Sequence, residues 1–349
     1  MSEVVFATDA DPTHRPYVHD DLCLEGANVG LTIDAEIATA MGQLAGLSAA
    51  ASPVDGDDVG ARRTNSKVLF DSVAATRSSA YGIDVEEHSL ITADGASLPL
   101  RWYRPRAAVT PSSALLYLHG GGMICGLDHV GAIYDVIIRE YVAASGVPVL
   151  TVDHRVAPEH PDPTPVLDCY AALRWLAEEA ETLGVDPTRV AVAGNGAGGA
   201  VAAGVALMAR DHGGPSIAMQ QLIYPMLDDR TIHPDPQLPP ELLIWTYDDN
   251  VASWSALLAE RTGGTEVSPY AAPARAADLA GLPPTYVDIG DLDIFRDETV
   301  DYARRLAAAG VPTELHVYPG CPHGFDLIAP RASVSRHAMA NRVRRLTQL

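Results

Sequence analysis

The sequence is short of positive charge. It has 24 Lys and Arg residues against 45 Asp and Glu residues, which gives a formal net charge of −21 at pH 7. The acidic residues are spread along the chain and are not gathered in a tail. Nucleic acids and anionic lipid surfaces are themselves negative, so this balance argues against both as partners. We therefore expect no nucleic-acid partner and no membrane partner.

Cysteine is scarce as well. The four cysteines are irregularly spaced and include no C-x-x-C pair; they are Cys23, Cys125, Cys169 and Cys321. This pattern predicts reduced thiols in a cytoplasmic protein. The first residues lack a basic stretch followed by a long apolar run, so no signal peptide is predicted. The one long uncharged stretch, residues 190–209, could suggest a membrane span, but its glycines and Asn195 favour a buried strand, turn and helix.

Apolar runs alternate with helical patterns along most of the chain. A hairpin is predicted over residues 85–92 and 98–103. Runs typical of strands buried on both faces follow at 114–118 and 147–152, and further strand-like runs follow at 190–193, 217–224, 285–289 and 314–318. Helical patterns are found at 130–145, 165–182, 194–208, 297–309 and 332–346. This alternation predicts an α/β fold with a mostly parallel central sheet flanked by helices and joined by right-handed crossovers.

Two regions stand outside that alternation. Residues 1–65 look like a prefix, with a helical pattern beginning at Ile33 and a loop near 51–60, and a second helix is predicted over 66–80. Residues 228–282 are rich in proline, acids and aromatics and interrupt the rhythm of the sheet. Such an insertion is where a lid could lie, although a purely structural role is an equally good interpretation of any single residue in it.

A glycine cluster after the run 190–193 predicts a sharp corner. The residues are Gly194-Asn195-Gly196-Ala197-Gly198-Gly199. A glycine on each side of one residue suits a tight strand-to-helix turn that presents the residue at its tip, as in the nucleophile pattern G-x-S-x-G. The tip here is Gly196, so the turn is predicted without its hydroxyl. The spacing also fits G-x-G-x-x-G, but this cluster comes late in the sheet and no acid near residue 216 could hold a ribose.

Further candidate catalytic residues follow other predicted strands. The run His119-Gly120-Gly121-Gly122-Met123 comes directly after a buried strand, and its backbone N–H groups could stabilise an oxyanion. Asp291, Asp293 and then His323 follow the last two strands, at the edge where α/β ligand sites lie. An acid and then a histidine after the corner give the chain order nucleophile, acid, base.

The chain resembles the bacterial hormone-sensitive-lipase family of α/β-hydrolase carboxylesterases. The matching segments, spread over slightly more than half of the chain, are His119–Gly122, Asp153–Pro161, the corner at 194–198, Ser268-Pro269, Gly281–Pro284, Asp293–Glu298 and His323–Phe325. The resemblance implies that Asp293 orients His323 as the base, with Asp291 and Asp297 as rivals for the acid. It also implies oxyanion donors at Gly121, Gly122 and Ala197, short- to medium-chain ester substrates, and no cofactor. By this resemblance residues 1–80 form a helical cap segment and 81–349 the catalytic domain, with 228–262 contributing to the cap.

The departure at Gly196 decides what this chain can do. The family usually has Gly-Asp-Ser-Ala-Gly at the corner, whereas this chain has Asn195 and Gly196 in place of the aspartate and serine. Without the hydroxyl no acyl-enzyme forms, so we expect an inactive variant of a carboxylesterase. Either the serine was replaced by design, which the otherwise complete set of residues favours, or the chain is a natural pseudo-hydrolase that binds a small-molecule ligand. Replacement of the serine by Cys125 or Cys321 is not favoured, because neither lies on a strand-to-helix corner.

Other expectations concern substrate and assembly. Met123, Asn195, Trp245 and Tyr247 are predicted to contact a small, fairly apolar ester. The run 314–318 is predicted near a sheet edge, where it could pair with a second copy in a homodimer, with a monomer as the alternative. Three further histidines show no metal-ligand spacing and are interpreted as structural: His154, His160 and His316.

Overall fold

The computed structural model describes residues 31–47, 54, 56, 58–107 and 110–349. The predictions for residues 1–30, Cys23 among them, lie outside this part of the chain. The described residues from 31 to 349 form one compact unit.

One sheet of eight strands organises that unit. The strands are β1 (Ile83–Ile91), β2 (Ser97–Pro105), β3 (Ser112–Leu118), β4 (Val149–Val152), β5 (Val185–Asn195), β6 (Met219–Ile223), β7 (Thr285–Gly290) and β8 (Thr313–Tyr318). Their order in the sheet is β1-β2-β4-β3-β5-β6-β7-β8. β1, β2 and β4 pair antiparallel, and every pair from β4 through β3 to β8 is parallel. The predicted α/β class, hairpin and mostly parallel sheet are confirmed, and β8 is an edge strand as expected.

Ten α-helices lie within the described residues. They are α1 (Ala35–Leu47), α2 (Val59–Ala75), α3 (Leu127–Ser145), α4 (Thr164–Glu178), α5 (Ala180–Leu183), α6 (Ala197–His212), α7 (Tyr247–Leu258), α8 (Arg296–Ala308), α9 (Phe325–Ile328) and α10 (Ser333–Leu346). The second predicted helix was misplaced: α2 begins at Val59, because the side chain of Asp58 accepts a hydrogen bond from the N–H of Ala61 and caps its first turn. It ends at Ala75 and does not extend to residue 80.

The centre of the sheet is its most deeply buried part. All residues of α6 from Ala197 to Ala209 are buried, as are the strands β4, β6 and β7 on all their residues. This explains why residues 190–209 carry no charge: they are a core strand and the helix that follows it. Among the described helices, none is long and apolar enough to cross a bilayer.

The parallel strands bring distant parts of the chain to one edge of the sheet. His119 follows β3, Gly196 follows β5, Asp293 lies beyond β7 and His323 lies beyond β8. Because parallel strands present their carboxyl ends along a common edge, the segments that carry these four residues meet there.

Candidate active site

The corner between β5 and α6 is a strained turn with Gly196 at its tip. Gly196 has φ 55° and ψ −122°, a conformation that L side chains rarely adopt. The neighbouring glycines are required by close packing: a Cβ on Gly194 would lie 2.2 Å from the carbonyl oxygen of Gly198, and one on Gly198 would lie 2.2 Å from that of Leu118. The backbone N–H of Gly196 donates to the carbonyl oxygen of Ile223 over 3.0 Å. Close backbone contacts on both sides therefore shape the turn, and its tip at Gly196 faces the cavity described below.

The imidazole of His323 faces that tip. Its Nε2 lies 3.2 Å, and its Cε1 3.5 Å, from the position of an ideal Cβ on Gly196. In the part of the chain that the structure describes, no other heavy atom outside the adjoining residues comes within 4 Å of that position. On the other side of the ring, Nδ1 donates to Oδ2 of Asp293 over 2.7 Å. The rings of Tyr224 and Phe295 pack edge-on against the imidazole, with centroids 4.8 and 5.4 Å away. The ring is thus fixed in one orientation.

Asp293, and not its two rivals, contacts the histidine. Asp293 is buried, and its second oxygen accepts from the N–H of Phe295 over 3.0 Å. Asp291 accepts instead from the N–H of Gly320 over 2.7 Å, and burial raises the pKa of its carboxyl group. Asp297 is exposed and pairs with Arg296. Only one of the three candidate acids is therefore in a position to orient the imidazole.

Two of the three glycines that follow β3 leave their amides free within the described residues. Gly121 and Gly122 have φ values of 111° and 62°. Within the part of the chain that the structure describes, neither of their N–H groups has a protein acceptor. The N–H of Gly120 is used differently, since it donates to the hydroxyl of Tyr134 over 2.6 Å. Ala197 begins α6, where the first N–H groups of a helix have no intrahelical acceptor. Three amide donors are thus available near the corner.

A buried hydrogen-bond chain joins the corner to the glycine run. The Tyr134 hydroxyl donates to Oδ1 of Asn195 over 2.6 Å, and Nδ2 of Asn195 donates to the Tyr224 hydroxyl over 3.3 Å. Burial raises the pKa of both tyrosines, so their hydroxyls stay neutral donors. Sequence reasoning missed both tyrosines, because they lie in an apolar helix stripe and at a strand end, where no local pattern distinguishes them. The side chain of Asn195 therefore links the corner to Tyr134, which binds the glycine run, and to Tyr224, which packs on His323.

A cavity of about 320 Å³ lies over these groups. Its walls include Gly120, Gly121, Gly122, Asn195, Gly196, Ala197, Trp245 and His323 from the sequence prediction, and Leu69, Phe70, Phe295 and Leu327, which that prediction missed. The ring of Trp245 lies directly on the glycine run, since a Cβ on Gly122 would come within 2.4 Å of its Cη2 atom. The walls are mostly apolar, which suits an apolar ligand.

Two residues that were predicted to contact the substrate, Met123 and Tyr247, do not line this cavity. Met123 has φ 63°, and this turn buries its side chain away from the cavity, beside Val166 and Leu257 in a separate small pocket. Tyr247 is also absent from the cavity wall, because its hydroxyl accepts a hydrogen bond from the N–H of Asp235 over 3.1 Å.

The two cysteines that were considered as alternative nucleophiles are buried. Burial raises the pKa of the Cys125 thiol to about 11 and that of Cys321 to about 12, so neither is a thiolate at neutral pH. Over the described ranges, no group of three His, Cys, Asp or Glu side chains could hold a metal ion. His154 stacks flat on His119 with centroids 4.1 Å apart, and His316 contacts Glu314 over 2.8 Å.

Comparison with known proteins agrees with this geometry. Residues 115–327 match a family described as having the alpha/beta hydrolase fold. The chain is 34% identical over 304 residues to the carboxylesterase NlhH of Mycobacterium tuberculosis, covering 76% of this chain and 90% of that protein. It is 38% identical over 239 residues to the esterase LipI of the same species, covering 66% and 72%. A solved structure called a bacterial heroin esterase superposes with a TM-score of 0.82 at 38% identity, covering 91% of this chain and 98% of that one.

Proposed function

The chain belongs to the hormone-sensitive-lipase-like family of the α/β-hydrolase fold, and we propose that its site is that of a carboxylesterase in which Gly196 replaces the nucleophilic serine. One observation carries the proposal. Nδ1 of His323 donates to Asp293 over 2.7 Å, and Nε2 of the same ring lies 3.2 Å from the position of an ideal Cβ on residue 196. A base that is oriented by an acid and aimed at a strand-to-helix corner is the arrangement that activates a serine.

In the serine form each group has a defined task. Nε2 of His323 takes the serine proton as the oxygen attacks the ester carbonyl, and it returns that proton to the leaving alcohol. Asp293 fixes the ring and stabilises the imidazolium. The amides of Gly121, Gly122 and Ala197 bind the carbonyl oxygen as it gains charge. With Gly196 no acyl-enzyme forms, and losing this nucleophile in a serine protease lowers turnover by roughly a million-fold.

We propose small, fairly apolar esters as the substrates. The apolar walls and the volume of about 320 Å³ support this substrate class. So do the relatives, whose names describe a carboxylesterase, an esterase and a heroin esterase.

We also propose that the described parts of residues 1–80 and residues 228–262 form a cap over this cavity. Arg62 of α2 and Asp249 of α7 both line the cavity and pair over 3.1 Å, so the two segments are joined across it. Trp245 belongs to the second segment and forms part of the wall.

We also propose that two copies associate through β8 and that the protein is cytoplasmic. Pairing of β8 with a second copy is supported by its edge position and by the exposure of Leu315 and Val317. A cytoplasmic location is supported by the free thiols of the three described cysteines, Cys125, Cys169 and Cys321.

The test is to restore the serine. Gly196→Ser should hydrolyse p-nitrophenyl acetate and butyrate faster than the parent by several orders of magnitude, up to about 10⁶-fold. Gly196→Ala should stay inactive, and adding His323→Gln to the serine variant should remove the gain. A folded serine variant that stays inert while the parent binds a small molecule tightly would favour a non-catalytic binding protein instead.

A further inference from the structure

The tip of the corner opens onto the cavity and the imidazole together. Among the described residues, the only heavy atoms within 4 Å of a Cβ built on Gly196, beyond the adjoining residues, are Nε2 and Cε1 of His323. Gly196 and His323 both line the cavity of about 320 Å³, as do Gly121, Gly122 and Ala197. A small molecule in the cavity can therefore contact Nε2 at the place that a side chain would otherwise occupy.

The imidazole is held ready to accept a proton there. Its Nδ1 donates to Asp293 over 2.7 Å, which leaves Nε2 as the acceptor in the neutral ring. Tyr224 and Phe295 pack against the ring and hold it in this orientation. A general base needs a proton donor within hydrogen-bond reach, and this base faces open space of suitable size.

We propose that the protein with Gly196 transfers acyl groups from esters to a small external alcohol that lies between Gly196 and His323. This inference rests on the proposed carboxylesterase site. Methanol is the smallest alcohol and is therefore accommodated beside Nε2 most easily, whereas larger alcohols compete with the ester for the same cavity.

The reaction balances without a covalent enzyme intermediate. The methanol oxygen forms a bond to the ester carbonyl carbon while Nε2 of His323 takes its proton, and the carbonyl electron pair moves to oxygen beside the amides of Gly121, Gly122 and Ala197. When the carbonyl re-forms, the bond to the original alcohol breaks and that alcohol leaves with the proton from Nε2. The products are a methyl ester and the free alcohol. Water in the same place gives the acid and the free alcohol.

The experiment measures methyl butyrate formed from p-nitrophenyl butyrate in molar methanol, by gas chromatography. The parent protein should form it about a hundredfold faster than Gly196→Ala, the lower end of what general acid–base catalysis supplies. Gly196→Ala is the matched control, because its Cβ would lie 3.2 Å from Nε2, where it displaces the alcohol oxygen and shifts the imidazole by only a few tenths of an ångström. His323→Gln should also abolish the reaction, and the rate should fall from methanol to ethanol to 2-propanol.

The outcomes separate this inference from the function on which it rests. If Gly196→Ser hydrolyses the butyrate ester but the parent forms no more methyl ester than Gly196→Ala, the inference is wrong and the esterase site stands. If a folded Gly196→Ser is inert and no methyl ester forms, both are wrong. Methyl ester formation that survives His323→Gln also overturns the inference.

Discussion

Arg342 of the last helix holds Asp326, three residues beyond His323, through a hydrogen bond of 2.5 Å from Nη1. The same guanidinium binds both oxygens of Asp288 on β7 at 2.6 and 3.0 Å. Arg342 and Asp288 are buried, and the guanidinium also lies 5.6 Å from the ring centre of Tyr224, which packs on His323. The C-terminal helix therefore anchors the loop that carries the histidine to the sheet.

Replacing Arg342 by Met should destabilise the fold by about 3–5 kcal/mol, since it leaves two carboxylates buried without their partner. Urea denaturation measures the loss. Arg336→Met is the matched control, because Arg336 is exposed on the same helix and should change stability by less than about 0.5 kcal/mol. A similar, small loss for both variants would contradict the anchoring role.

Placing a side chain at position 196 should cost stability even where it gains activity. The turn has φ 55°, and a Cβ there meets Nε2 of His323 at 3.2 Å, so the imidazole must move by a few tenths of an ångström. We expect Gly196→Ser and Gly196→Ala each to lower the free energy of unfolding by about 1–3 kcal/mol. Urea denaturation of both variants checks this.

Gly146→Ala is the control for that measurement. Gly146 ends α3 with φ 72° and has nothing within 4 Å of its Cβ position, so its substitution reports backbone strain without a collision. A serine variant more stable than the parent would show that the turn differs from the one described.

Trp245 should limit the length of substrate that the cavity accepts. In the Gly196→Ser background, Trp245→Ala should raise the kcat/KM ratio of p-nitrophenyl octanoate to butyrate by about tenfold, a gain of about 1.4 kcal/mol that roughly two buried methylene groups can supply. Trp175→Ala, which removes a tryptophan outside the cavity wall, should leave the ratio unchanged. If Trp245→Ala and Trp175→Ala give equal kcat/KM ratios, Trp245 does not limit the length of the substrate.

The stacked pair His119 and His154 should make stability depend on pH. Burial lowers the pKa of both imidazoles, and for His119 the neighbouring His154 lowers it further. Below the unfolded value of about 6.5, the unfolded chain binds protons that the folded chain does not, so stability falls as pH drops.

The slope reaches about 1.4 kcal/mol per pH unit for each such proton. Urea unfolding between pH 7 and pH 5 should show a smaller loss for His154→Asn than for the parent protein. The slope is the measured quantity here, because any core substitution can also lower stability at a single pH. Equal slopes for His154→Asn and the parent protein would contradict the role of His119 and His154 in the pH dependence of stability.

Much of the fold could be predicted because its central strands are runs of apolar residues in the sequence. Residues 114–118 and 285–289 are buried on both faces in the structure and contain no charge except Asp288, which Arg342 neutralises. The start of α2 could not be predicted from apolar spacing, because a single capping side chain, Asp58, sets it.

The candidate site was predictable only where its chemistry follows local spacing. The corner at Gly196 follows from its glycine spacing. Spacing placed Asp291, Asp293 and His323 beyond the last two strands, but the pairing of Asp293 with His323 was implied only by the resemblance to the family. Met123 does not line the cavity, because its side chain is buried in the core at a positive φ that the sequence does not reveal. Tyr134 could not be found, since its contacts to Gly120 and Asn195 join residues that are far apart in the sequence.

The site depends on four strands that are far apart in the chain. The amides of Gly121 and Gly122 follow β3, and residues 196, 293 and 323 follow β5, β7 and β8, the last strand in the chain. A fragment that ends before β8 therefore lacks the base, so catalysis in a serine-restored protein would report on completion of the tertiary fold.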